Sequence, residues 1–342
     1  MPKKISALLI LTINLLISDV CVGSNGDTSR YYRQCLSTCK TSSRERDIDL
    51  AEPGFFTSRT LLSSQDDCKY TCMWDTVNYF TSRGLQVPQF HGKWPFIRMF
   101  GLQEPASVLF SVLNFFVSWK MYGEFRKEVQ FDTPMYLVWS YFSLVGLHGW
   151  LWSSIFHAQD NAFTEAMDYS CAFGIVLTLL CCLLFRLTYK RRKVLFTIIC
   201  GYVSMLYTHL SHLWSGRINY GYNMKLNILL GLVTSIMTLV WWYRNYKRLE
   251  HIRLIGWFNV LSVSSTLLEV TDFPPIFWIF DAHSLWHASS APLIILLYRY
   301  VYYIFYIFLC FLVTFLNINN FTLHFRFIIK DCLYLKKYSA FR

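Results

Sequence analysis

From Pro105 onward the chain is a succession of apolar stretches close to twenty residues long, joined by short polar links. No other feature constrains the fold as much. A helix rises about 1.5 Å per residue, so a stretch of this length matches a hydrocarbon core of roughly 30 Å. Inside that core every backbone N–H and C=O must be satisfied internally, which leaves helices or closed barrels. Stretches at 103–120, 134–156, 166–187, 194–213, 226–243, 254–273 and 283–300 predict seven spanning helices. Composition agrees. Of 342 residues, 54% are hydrophobic and 15% charged, against about 25% charged in ordinary soluble domains. The expected fold is an all-α polytopic membrane protein, a seven-transmembrane helix bundle over 101–316, with a small disulfide-containing luminal domain in front of it.

That N-terminal region reads in three parts. Residues 1–24 combine Lys3 and Lys4, a short apolar run and the small residues Val22, Gly23 and Ser24. This is the pattern of a secretory signal peptide, with an uncleaved anchor as the alternative. Residues 25–100 are polar and carry Cys35, Cys39, Cys68 and Cys72 as two C-x3-C pairs. Behind a signal peptide, four such cysteines predict two disulfides in an oxidising lumen, and three pairings are open. A zinc site is the weaker reading, since zinc knuckles space their ligands differently. Between Ser37 and Ser64 the composition reads as loop. From Gln86 to Pro105, prolines and aromatics predict a connector near the membrane surface, with His91 as an interfacial residue.

A net charge of +11 would suit nucleic acid, but its placement excludes that partner. The basic residues cluster in short links: Arg186, Lys190, Arg191, Arg192 and Lys193, then Arg244, Lys247, Arg248 and Arg253 against Glu250 alone. The alternate links carry Asp160 and Glu165, Arg217 and Lys225, then Asp272 and Asp281. Positive residues favour the cytosolic side, which agrees with a luminal cysteine domain. The stretch 300–316 reads as an eighth span, an interfacial helix or a continuation of the seventh span. Residues 317–342 form a basic cytosolic tail, and the sequon at Asn320 would be usable only in the lumen.

This topology sorts the polar residues that the apolar stretches contain. Ser153 and His157 are four apart, as are His283 and His287, so each pair shares a helix face. Asp168 lies eleven residues beyond His157. All five fall near the luminal ends of their segments. Any one of these histidines alone reads as a packing residue, but their joint depth does not. Three imidazoles with an open fourth position form a catalytic zinc arrangement, and zinc lowers the pKa of a bound water to roughly 7. Asp168 is placed to take a proton or orient that water, and Ser153 to hydrogen-bond it or a developing oxyanion. Asp281 is either a second carboxylate behind a ligand imidazole or a solvated residue at a helix start. His209 and His212 are expected to line the pocket, and His148 to be buried packing. A Ser-His-Asp triad would leave two histidines without a role.

The combination of Ser-x3-His, an aspartate eleven residues on and a late His-x3-His resembles the seven-span hydrolase superfamily of alkaline ceramidases and adiponectin-receptor-like proteins. Within it the chain resembles the Per1-like branch. The cysteine pairs, Ser153 to Asp168, His209 to Met224, and Glu269 to His287 carry that resemblance. It implies removal of the sn-2 fatty acid from the inositol phospholipid of glycosylphosphatidylinositol (GPI)-anchored proteins, in the Golgi for animal members and the endoplasmic reticulum for fungal ones. It further implies Zn2+ held by His157, His283 and His287, with Ser153 and Asp168 at the metal-bound water. GPI-anchored proteins and membrane lipids are then the partners, and no obligate protein partner is named. The family's short polar tail is not matched by 300–316. Two alternatives stand beside this expectation, a ceramidase-like amide hydrolase and a non-enzymatic maturation factor for GPI-anchored proteins.

Overall fold

The computed structural model describes residues 24–49, 64–188, 191–216, 218–247 and 252–315. The signal-peptide region before Ser24, the sequon and the basic tail lie outside the described residues. Among the described residues the protein is all-helical, with isolated β-bridges and no strand. A short α1 (Asn25–Thr28) leads into α2 (Arg30–Asp49) and α3 (Ser64–Ser82). Seven long helices follow: α4 (Pro105–Glu128), α5 (Tyr136–Ala158), α6 (Ala162–Thr188), α7 (Arg192–Leu213), α8 (Tyr220–Asn245), α9 (Arg253–Thr271) and α10 (Ala282–Phe315). They coincide with the apolar stretches to within a turn or two at each end, apart from α10. Four of them, α6 to α9, are long and apolar enough to cross a membrane. The three readings of residues 300–316 reduce to one through Phe315, where α10 simply continues.

The chain divides into two compact units. One comprises residues 1–106 with 271–282, and the other residues 107–270 with 283–342. In the first, α2 and α3 are clamped by Cys35–Cys72 and Cys39–Cys68. An i,i+4 spacing puts both sulfurs of each helix on one face. The pairing is outer with outer and inner with inner, as antiparallel helices require.

The loop expected from Ser37 is a helix as far as Asp49. Its hydroxyls, which look like loop formers, instead bond back along the helix: Ser37 and Thr38 to the Gln34 carbonyl, Thr41 to Ser37 and Ser42 to Thr38. Such back-bonding only mildly disfavours a helix, and two crosslinks outweigh it. Tyr32, Cys72, Val77 and Phe90 form the small buried core of this unit. Residues 271–282 also join this unit, without any sequence signal for it. Asp272 accepts from Gln89 Nε2 at 2.8 Å and Trp94 Nε1 at 2.5 Å, and Trp278 packs edge-on against Trp74.

The second unit has a core of Phe125, Trp139, Phe142, Ile255 and Tyr298, drawn from α4, α5, α9 and α10. Phe173, Leu177 and Leu180 of α6 pack with Leu230 of α8 in a second cluster. Outward-facing α7 residues are themselves apolar, among them Phe196, Ile199, Val203 and Tyr207. A helix apolar on its exposed side is built for a lipid surround. α4 is different: Ser107, Ser111, Asn114 and Ser118, at spacings of four, three and four, make a buried polar stripe.

Candidate metal centre

The site is assembled from α4, α5, α9 and α10. His157 stands in the last turn of α5 and His283 and His287 in the first two turns of α10. Their Nε2 atoms converge. The separations are 3.4 Å for His157–His283, 3.2 Å for His157–His287 and 3.0 Å for His283–His287. Zinc–nitrogen bonds of about 2.0–2.1 Å at tetrahedral angles place ligand nitrogens about 3.3 Å apart. The three imidazoles therefore have the edge lengths of one face of a zinc tetrahedron, and they form a group able to hold a metal ion.

The far sides of two rings are also specified. Glu269, near the end of α9, takes His283 Nδ1 with both carboxylate oxygens, at 3.0 and 2.9 Å. A carboxylate can only accept, so Nδ1 carries the proton and Nε2 keeps its lone pair. His287 Nδ1 faces Ser111 Oγ at 3.5 Å, and that hydroxyl lies 3.1 Å from Ser153 Oγ. Asn114 donates to the His287 carbonyl at 2.7 Å and to Phe110 at 2.8 Å, tying α4 to α10. Ser111, Ser153, His157 and His287 are all buried, whereas His283 is half-buried.

Of the residues expected at the site, the structure brings together Ser153, His157, His283 and His287. Asp168 is half-buried in the second turn of α6 and is not among the converging ligand atoms. Asp281 immediately precedes α10 and is buried, which removes the solvated alternative. His209 and His212 belong to a separate cluster. His209 is buried, stacks on Phe173 at 3.9 Å and donates to Asn223 Oδ1 at 3.1 Å, while His212 lies edge-on to Tyr222. His148, expected to be buried packing, is exposed on α5, accepting from Trp152 Nε1 and facing Cys171 Sγ at 3.3 Å. Its helix position faces outward, and an i,i+4 tryptophan satisfies one of its nitrogens.

Glu269, Ser111 and Asn114 were missed as site residues. Two signals pointed to them. Glu269 is an acid within an apolar stretch, which is costly in a membrane unless paired, and the 4-3-4 run of small polar residues on α4 marks a single buried face.

The chain matches a family model described as the Per1-like family over residues 55–303. It is 36% identical over 310 residues to a Drosophila melanogaster protein named "Post-GPI attachment to proteins factor 3", covering 88% of this chain and 95% of that protein. A Mus musculus protein named "GPI-specific phospholipase A2-like PGAP3" is 39% identical over 311 residues, covering 88% and 94% respectively. A Xenopus laevis protein of the same name is 40% identical over 297 residues, covering 84% and 92%. No solved structure matches the chain at a significant level.

Proposed function

The chain belongs to the Per1-like family, and from that premise we propose that it is a zinc-dependent phospholipase A2 acting on GPI-anchored proteins. In this reading it removes the sn-2 acyl chain of the anchor's inositol phospholipid during anchor remodelling. The substrate class comes from the relatives, whose names specify GPI attachment and a GPI-specific phospholipase A2-like activity. The observation that carries the chemistry is the convergence of three Nε2 atoms to 3.0–3.4 Å, with His157 lying 126 and 130 positions from His283 and His287 in sequence.

The proposed topology has α4 to α10 all crossing the membrane, behind a cleaved signal peptide, with the cysteine unit in the lumen and the tail in the cytosol. Residence in the Golgi is the reading for an animal-type member, with the endoplasmic reticulum as the alternative. The buried polar stripe explains how α4 can span while falling short in overall hydropathy, because its inward face serves the site and not the lipid. A centre near the luminal ends of the helices lies at the depth of a phospholipid's ester bonds, so the anchor lipid reaches it laterally.

His157, His283 and His287 would hold the zinc ion. Bound there, zinc supplies Lewis acidity and makes water a competent nucleophile near neutral pH. The residues of the chain do the rest. Glu269 fixes the His283 tautomer and ring plane. Ser111 holds the Ser153 hydroxyl, and Ser153 offers that hydroxyl to the carbonyl oxygen of the ester as negative charge develops. Asp168 is assigned the proton that leaves the attacking water. Burial of Ser111, Ser153, His157 and His287 lowers the local dielectric, which strengthens their polar interactions.

Lipid analysis of GPI anchors from cells lacking the protein tests the reading. Wild type should restore anchors lacking the original sn-2 chain, and His283→Ala should not. Restoration by a protein lacking both Ser153 and Asp168 hydroxyl and carboxylate groups would instead favour a non-enzymatic maturation factor. Cleavage of ceramide in place of the anchor ester would favour the amide-hydrolase alternative.

A further inference from the structure

Three tight turns in the cysteine unit, two of two residues and one of three, share a left-handed backbone pair and differ in their tips. Isolated bridges close them at Phe90–Lys93, Met99–Leu102 and Ile276–Phe280. Each has two successive residues in the left-handed region: His91 and Gly92, Phe100 and Gly101, Phe277 and Trp278. Such positions favour glycine, asparagine or aspartate, and bulky side chains there are strained. The first turn follows that rule with a polar tip. The other two place phenylalanine at the apex, with Phe100 94% and Phe277 78% exposed. Turn geometry does not demand this, since the first turn manages without it.

The two aromatic turns are neighbours, because Ile97 N–H donates to the Trp278 carbonyl at 3.0 Å. Ile97, Met99 and Ile276 are exposed beside the tips, so five apolar residues form one patch. Its base is rigid. The Arg98 backbone N–H bonds to Tyr70 and its guanidinium covers the Tyr70 ring, while Trp278 turns inward onto Trp74. The tips therefore protrude from a fixed support.

We infer that Phe100 and Phe277 insert into the lipid–water interface of the membrane crossed by α9, anchoring the cysteine unit on the bilayer. Chain continuity selects this occupant. Phe277 follows the last residue of α9, Thr271, by six positions, which keeps it within about 20 Å of the end of a spanning helix. Patch size agrees. Specific protein partners need some 20–30 residues a side, whereas single protruding aromatics suffice at an interface that accepts an apolar body beside polar backbone. Phe277 also lies in the segment joining Glu269 to His283, so its anchoring sets the depth of the link between two elements of the metal centre. The inference rests on α9 crossing the membrane and not on the reaction assigned to the centre.

The test uses the full-length protein in native membranes, with p-benzoylphenylalanine in place of Phe100, of Phe277, or of Phe196 on the lipid-facing side of α7 as a positive control. On illumination all three positions should yield phospholipid adducts, and the same residue in place of His91 should yield several-fold fewer. Adducts to another protein or to a second copy of the chain at positions 100 and 277 would overturn the inference. So would absence of lipid adducts there while the control at 196 labels. A companion variant, Phe100→Asn with Phe277→Asn, suits the left-handed turns better than phenylalanine. It should keep the thermal midpoint in detergent while releasing the cysteine unit to added protease several-fold faster in membranes. An unchanged protease rate in membranes would count equally against the anchor.

Discussion

The cysteine clamp and the histidine centre are built from the same local device and end in different chemistry. Each uses residues four apart on a helix: Cys35 with Cys39, Cys68 with Cys72, Ser153 with His157, and His283 with His287. In the clamp, two such faces meet antiparallel and the sulfurs close covalently, so Cys35–Cys72 and Cys39–Cys68 leave no ligand atom over. In the centre, a face with one imidazole meets a face with two, and the three Nε2 atoms come within 3.4 Å of one another. A spacing of four therefore says only that two side chains share a direction. The element opposite decides whether they form a bond, a ligand set or mere packing.

Three experiments break or sharpen that contrast, taken from the largest expected effect downward. His287→Ala removes one of three convergent nitrogens. Zinc in the purified protein should fall from about one equivalent to a small fraction of it, with hydrolysis down at least ~10³-fold, while both disulfides persist. Retention of zinc, measured by elemental analysis, would show that the three imidazoles are not the ligand set. The reciprocal change, Cys39→Ser with Cys68→Ser, should cost the cysteine unit about 2–4 kcal/mol, read as earlier thermal unfolding and faster proteolysis. Zinc content should be unchanged, and its loss would mean that the two devices are coupled. Glu269→Gln is the mildest. An amide can still accept from His283 Nδ1 but lacks the charge, so zinc affinity in chelator competition should weaken about 10–100-fold. Glu269→Asp is expected to recover part of that loss. Equal affinity for wild type and Glu269→Gln would assign Glu269 to packing alone.

How much of this was legible beforehand follows from the range of each signal. The seven long helices were readable because an apolar run of twenty residues is a local property of the chain. Charge placement led to the expectation that His157, His283 and His287 share one layer, and the structure brings their Nε2 atoms together. α2 was misread because Ser37, Thr38, Thr41 and Ser42 resemble a loop until the crosslinks hold the helix in place. Glu269 was visible as an acid in an apolar stretch, but its partner was not, since His283 is fourteen residues away on another helix. The seat of residues 271–282 in the cysteine unit, through Asp272, Gln89 and Trp94, had no sequence signal at all.

The sequence by itself determined the seven long apolar helices, the shared faces of the histidine pairs, and the residue types able to bind a metal, because these depend on hydropathy and helical periodicity alone. Only the tertiary structure decided which cysteines pair, that Ser111 and Asn114 of α4 face His287, and that Glu269 stands behind His283. Those facts depend on how helices distant in sequence pack, and helix periodicity fixes which face a side chain occupies without fixing what lies opposite.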